Sequence, residues 1–268
     1  MSMNYIITGS SQGIGFEISK MLQNKNKLII CSRKKNKFFE SYSKNITFIK
    51  SDLTKLKDIK KINKYFKKNK IKLDGAIFCQ GLLGSPFYSY DKKKYKYWQK
   101  IFDTNFTSNL NLVRYILPFI RKKSFSKIIF FSGGGSFNTW PKFSAYSTSK
   151  TALVRYAENL ADEIKDQKTI VNCLAPGFLN TNIHKKNYSV LNSLNIKYKN
   201  ELKKNSKKKP NFKNILSLVN YILKNKNLSL SGRTISANFD PWKLKSFKTK
   251  LKKNQKSLKL IRENLKSN

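Results

Sequence analysis

The chain has 268 residues, 39% of them apolar and 13% aromatic, with a net charge of +42. That length suits one large α/β domain, and the aromatic content excludes a disordered chain, which could not bury enough apolar surface to order itself. The charge would admit a nucleic-acid binder, but the lysines run the whole length together with Asn, Ile, Phe and Tyr, as AT-rich codons produce, and no zinc-finger, RNP or basic-zipper pattern accompanies them, so nucleic acid is not the expected partner.

In chain order, short apolar runs alternate with longer amphipathic stretches. NYIITG (4–9), KLIICSR (27–33), ITFIKSD (46–52), LDGAIFCQG (73–81), SKIIFFSG (126–133), TIVNCLAPG (169–177) and GRTISANF (232–239) read as strands, too uniformly apolar to be half-exposed. Helical spacing marks 14–24, 56–68, 97–122, 144–165 and 211–225. Strand–helix–strand repetition predicts an α/β fold: a Rossmann-like doubly wound parallel sheet of about seven strands, with helices on both faces and ligands at the carboxyl ends of the strands. The domain is expected to span 1–240. Within it, the polar stretch 178–209 suits a mobile lid over a substrate. Residues 241–268 read as a basic C-terminal tail.

Cys31, Cys79 and Cys173 lie in strand-like runs without CxxC spacing, which suggests neither disulfides nor a metal site. No charged and apolar leader is visible, and no apolar run is long enough to span a bilayer. A cytoplasmic protein is the expectation.

TGSSQGIG (8–15) joins the first strand to the first helix. Glycines there permit a tight turn and let backbone N–H groups approach a pyrophosphate. The G-x-x-x-G-x-G spacing of Gly9, Gly13 and Gly15 resembles that of the short-chain dehydrogenase/reductase (SDR) family. Further family markers follow in order. Asp52 ends the third strand, Gly81 closes FCQG where the family has Asn-Asn-Ala-Gly, Asn105 sits in FDTNFTSN, and APGFLNT carries Pro176, Gly177 and Thr181. The resemblance covers about 240 residues. It implies an enzyme that interconverts a ketone and a secondary alcohol, with a nicotinamide coenzyme held by Gly9, Ser11, Gly13, Ile14, Gly15, Asp52, Gly81, Pro176, Gly177 and Thr181. For Asp52 the alternative reading is an N-cap of the following helix. ICSRKK offers no acid for a ribose 2′-hydroxyl, and Arg33 favours a 2′-phosphate, hence NADP over NAD, against a Gln12 where NADP-preferring members often have a basic residue.

The same resemblance selects Tyr146 and Lys150, in YSTSK, as the acid/base and its partner, with Lys150 also holding the coenzyme's ribose and Asn105 supporting a proton relay. On a helix that spacing puts both side chains on one face, and an ammonium nearby lowers a phenol's pKa. Tyr88/Lys92 and Tyr90/Lys94 repeat the spacing but sit in a polar loop. The family's substrate-binding serine, thirteen residues before the tyrosine, falls on Gly133. Ser132 is one residue early and would need a bulge to face the site; Ser136 or glycine N–H groups are the other candidates. Ser132 is the preferred one. The lid carries the only histidine, His184, and its polar, basic character suits a sugar or another polar substrate. The expected assembly is a homodimer or homotetramer. Two alternatives remain open: a coenzyme-binding protein with weak or no catalysis, and nucleic-acid or anionic-membrane binding through the basic tail.

Overall fold

The computed structural model describes residues 2–40, 43–122 and 124–261. Seven strands run β1 (Asn4–Thr8), β2 (Lys27–Ser32), β3 (Ile46–Lys50), β4 (Gly75–Phe78), β5 (Ser126–Phe131), β6 (Thr169–Ala175) and β7 (Arg233–Ser236). They form one sheet in the order β3-β2-β1-β4-β5-β6-β7, every pair parallel. The α/β reading therefore holds, with the expected strand count.

Alternate residues of each strand feed two cores, which is why the strands read as continuous apolar runs. Ile6, Ile29, Ala76, Ile128 and Val171 point to one face, beneath α2 (Leu56–Lys68), α4 (Ser108–Ile116) and α5 (Ser144–Glu163). Tyr5, Ile7, Ile30, Ile77, Ile129 and Leu174 point to the other, beneath α1 (Gly13–Leu22) and α7 (Lys213–Lys224). Each of the buried isoleucine, leucine and valine side chains among these contributes roughly 1.5–3 kcal/mol.

Two departures from the sequence expectation bear on the site. The helix expected over 97–122 is built in pieces: α3 (Tyr95–Phe102), a π-helical turn over Asp103–Thr107, α4, and a short 3₁₀ turn containing Pro118. Proline lacks the N–H that would continue the ladder and ends the helix there. The stretch from Pro241 does not stand apart from the domain. Trp242 is 4% exposed, and Phe247 and Leu251 of α8 (Phe247–Lys253) join the second core. The backbone N–H of Thr234 in β7 donates to the carbonyl of Leu258, and Arg233 donates to the carbonyl of Gln255. The segment thus packs over the β7 side of the sheet. Residues 262–268 of the expected tail lie outside the described residues.

The strand order reverses between β1 and β4, the switch point where sheets of this kind open a crevice at the carboxyl ends of their strands. Gly9, Asp52, Tyr146 and Lys150 all line that crevice.

Candidate active site

Gly9 and Gly13 have φ of +62° and +60°, a left-handed backbone that side chains with a β-carbon resist. A β-carbon at Gly9 would also meet the backbone of Cys79 and Gln80 at 2.7–2.9 Å, and one at Gly15 would meet the carbonyl oxygen of Gly9 at 2.6 Å. Glycine alone lets the first turn of α1 pack this tightly on the ends of β1 and β4. No side chain caps the N-terminus of α1, where Gln12 is extended, so its first N–H groups face the cleft without a protein acceptor from a cap. Ser11, Gln12 and Ile14 line that cleft, whose volume is about 1290 Å³. That exceeds the ~300–1,000 Å³ usual for a single small ligand.

At one end of the cleft stand Arg33 and Asp52. Asp52 accepts from the Thr54 hydroxyl at 2.7 Å and from the Thr54 N–H at 3.2 Å. Partial burial opposes its ionisation, but these two bonds, with Arg33 and Lys55 nearby, outweigh it and hold the carboxyl below the usual carboxylate range. Arg33 is exposed and free to receive an anion.

At the other end lie Tyr146 and Lys150, on the first turns of α5 against the end of β5. The Lys150 ammonium donates to the carbonyl of Phe131 at 2.8 Å and stands 5.8 Å from the centre of the Tyr146 ring. Burial pulls its pKa down to about 8 and pushes the Tyr146 phenol well above its ordinary value. An ammonium that close, in low dielectric, favours the phenolate, so the two side chains together can hold and release a proton. By contrast Tyr88 and Tyr90 are 51% and 77% exposed and stack on each other at the surface.

Gly133 abuts the Tyr146 hydroxyl so closely that a β-carbon there would overlap it. The phenol occupies the space a serine would fill. No bulge turns Ser132 toward it: the Ser132 N–H continues the ladder by donating to Leu174, and its hydroxyl lies 3.4 Å from that same carbonyl. The Ser136 hydroxyl curls back and donates to the Gly133 carbonyl at 2.8 Å, tying the glycine loop into a turn.

Asn105 sits in the π-helical turn and is fully buried. Its amide accepts from the Leu82 N–H at 2.7 Å, donates to the Leu82 carbonyl at 2.9 Å and donates to the Ser149 hydroxyl at 3.0 Å. It thereby fixes the strand-end segment after Gly81, whose notional β-carbon would lie 3.8 Å from the Lys150 nitrogen. Gln80, at the position of the family's alanine, hydrogen-bonds to Thr8, Ser108 and Asn109. These polar partners were not legible in the sequence, because nothing in a local pattern says which buried amide meets which backbone.

The segment after β6 closes the cleft. Gly177 has φ +76°. Thr181 lies over the glycine turn, its methyl 4.0 Å from where a Gly13 β-carbon would be, and the Asn182 amide donates to Gln12. His184 stacks on Phe178 with ring centres 4.6 Å apart, and its Nδ1 lies 2.7 Å from the hydroxyl of Tyr198. Trp140 packs edge-to-face with Tyr146 and Tyr198, with ring centres 5.7 and 5.1 Å apart. Trp140, His184 and Tyr198 all line the cleft beside Tyr146. Trp140 and Tyr198 carried no sequence signal, since each comes from a loop or helix that only the fold brings to the site.

The sequence model of the short chain dehydrogenase family matches residues 4–191. A benzil reductase ((S)-benzoin forming) of Saccharomyces cerevisiae is 28% identical over 191 residues, covering 67% of this chain and 73% of that protein. An uncharacterized oxidoreductase of Schizosaccharomyces pombe is 31% identical over 182 residues, covering 66% and 70%. Among solved structures, a short chain dehydrogenase/reductase of Saccharomyces cerevisiae shares the fold with a TM-score of 0.77 at 24% identity, over 90% of this chain and 97% of that one. A short chain dehydrogenase family protein of Francisella tularensis gives 0.75 at 22%, over 88% and 97%. The family match spans well over half of the sequence, along the same elements that build the cleft, and the chain belongs to the short-chain dehydrogenase/reductase family of oxidoreductases.

Proposed function

We propose that this protein is an NAD(P)-dependent oxidoreductase that interconverts a ketone and a secondary alcohol, with Tyr146 as the acid/base and NADP as the preferred coenzyme. The observation that carries the reading is the shared cleft: Tyr146 and Lys150 stand at one end, Arg33 and Asp52 at the other, and the glycine turn between them.

The residues fit a dinucleotide. The tight turn that Gly9, Gly13 and Gly15 permit, with the uncapped first turn of α1, suits a pyrophosphate, and Ser11 and Ile14 line the cleft beside it. Asp52 suits the adenine end and Arg33 a 2′-phosphate. Gly81, Pro176, Gly177 and Thr181 suit the nicotinamide end. When bound, such a coenzyme supplies or accepts the hydride. The chain's own residues do the rest. Tyr146 gives its proton to the carbonyl oxygen during reduction and takes one from the alcohol during oxidation. Lys150 stabilises the resulting phenolate, and Asn105 holds the backbone at Leu82 in place behind them. Ser132, committed toward Leu174, and Ser136, committed to Gly133, shape the loop under this reading; neither hydroxyl is assigned to the substrate oxygen.

The relative whose name states that it forms (S)-benzoin from benzil supports carbonyl reduction as the reaction type. The aromatic wall of Trp140, Phe178 and Tyr198 suits a substrate with a flat body. Self-association through the long helices is part of the proposal, and no helix among the described residues is long and apolar enough to cross a membrane.

A second reading, coenzyme binding with weak turnover, is favoured by one observation: the absence of a serine at Gly133. Removing one such donor typically slows an enzyme by about 10²–10³. The test is NADPH oxidation by the purified protein over a panel of ketones and diketones. Turnover supports the first reading; tight coenzyme binding with no turnover of any carbonyl overturns it.

A further inference from the structure

The segment that closes the cleft holds a directed chain of three polar side chains. Asn187 is fully buried, and its amide nitrogen lies 3.1 Å from the carbonyl of Gly84, which can only accept, so the nitrogen must face it. That same nitrogen lies 3.2 Å from the Tyr198 hydroxyl and donates to it. Tyr198 is 5% exposed, and its single proton needs an acceptor; the Nδ1 of His184 at 2.7 Å is the one present. Nδ1 is therefore unprotonated. Burial holds His184 neutral, with a pKa near 4, so the ring's one proton sits on Nε2. The ring itself is clamped against Phe178 and lines the cleft beside Trp140, Tyr146 and Tyr198.

We propose that His184 Nε2–H is a substrate-contacting hydrogen-bond donor, and that the substrate carries a second acceptor oxygen beside the carbonyl that Tyr146 serves. An α-oxo or α-hydroxy ketone is the corresponding chemical class. Tyr198 and Asn187 are positioning residues that act through the tautomer of His184. The proposal rests on the reading of this cleft as a carbonyl site. It follows from how the family's serine position is filled here: Gly133 offers no side-chain donor, and the space is taken by the Tyr146 hydroxyl, so a neutral donor on the facing wall supplies the polar contact that a flat, aromatic cleft otherwise lacks.

The experiment uses the fact that His184 is the only histidine in the chain. In full-length protein labelled with ¹⁵N-histidine, the imidazole gives one pair of nitrogen signals. A protonated, pyrrole-type Nε2 and a pyridine-type Nδ1 at pH 7 are expected; a protonated Nδ1 would overturn the proposal. Tyr198→Phe is expected to give a tautomer mixture while leaving coenzyme binding intact. In kinetics, His184→Phe keeps the ring stack on Phe178 but removes the donor. Its loss in kcat/KM is expected to be about tenfold greater for an α-oxo ketone than for the matching plain ketone. Equal losses on both substrates would overturn the donor role while the carbonyl reading stands. A wild-type protein that turns over neither ketone, with the Nε2–H signal in place, would overturn both.

Discussion

The hydroxyl of Tyr146 occupies the space that any β-carbon at Gly133 would need. Restoring the family's serine by Gly133→Ser is therefore expected to lower activity, since the new side chain must push the phenol out of line with Lys150. Overpacking of this kind costs about 1–3 kcal/mol, and a drop of at least tenfold in kcat/KM is predicted. Steady-state kinetics with thermal unfolding on the same variant checks it; a faster enzyme would mean that the phenol has room the geometry denies.

Lys150 predicts a pH dependence. Its folded pKa is near 8 because it is buried, against about 10.4 in an unfolded chain. Below pH 8 the ammonium is present and, in the proposed mechanism, stabilises the phenolate; above it the charge is lost. For carbonyl reduction, kcat/KM is expected to fall as pH rises through about 8, and Lys150→Met is expected to flatten that limb as well as lower the rate.

The same group has a stability consequence of definite sign. Between pH 8 and about 10.4 the unfolded chain keeps a proton on this lysine that the folded chain has released, so stability rises with pH across that window. The burden of burying the charge is fully present below pH 8 and relieved above 10.4. Lys150→Met should thus be more stabilising at pH 7 than at pH 10, by at most about 3 kcal/mol, as chemical denaturation at the two pH values would show.

In the proposed function Arg33 is the residue that selects the coenzyme. Arg33→Ala is expected to weaken NADPH binding by about tenfold or more, with little effect on NADH, because a guanidinium recognises a 2′-phosphate and, among the described residues, no other arginine lines the cleft. Equal effects on both coenzymes, measured by fluorescence titration, would remove the case for NADP.

Much of this architecture was legible in the sequence. Apolar runs such as KLIICSR predict strands buried on both faces, and the inner strands are so buried, whereas β3 at the sheet edge is mostly half-buried; Gly9, Gly13 and Gly15 announce a turn that only glycine can make. Tyr146 and Lys150 stand out from Tyr88 and Tyr90 because only they open a helix behind a buried strand. What the sequence hid depended on single-residue geometry. Whether Ser132 or Gly133 faces the phenol turns on strand-end register, where one step reverses the side chain. The π-helical turn at Asn105 and the chain from Asn187 through Tyr198 to His184 are set by tertiary contacts. So is the fate of Trp242, whose neighbours Lys243 and Lys245 make it look like part of a solvated tail although its indole donates to the carbonyl of Ala237 from within the core.

That placement carries its own prediction. Trp242→Ala should destabilise the domain by about 3–5 kcal/mol, as expected for truncating a large buried aromatic side chain. Truncation after Asp240 should yield unfolded or insoluble protein. A truncated chain that folds and binds coenzyme like the full one would show the segment to be dispensable.

The central claim is that the Tyr146 phenol moves the proton. Tyr146→Phe, assayed for ketone reduction with NADPH and for NADPH binding, tests it most directly. A loss of about 10²–10⁴ in kcat with coenzyme affinity within about twofold of the wild type is the expected result, because the ring stays packed on Trp140 while only the hydroxyl goes. A variant that reduces ketones at the wild-type rate would contradict the account.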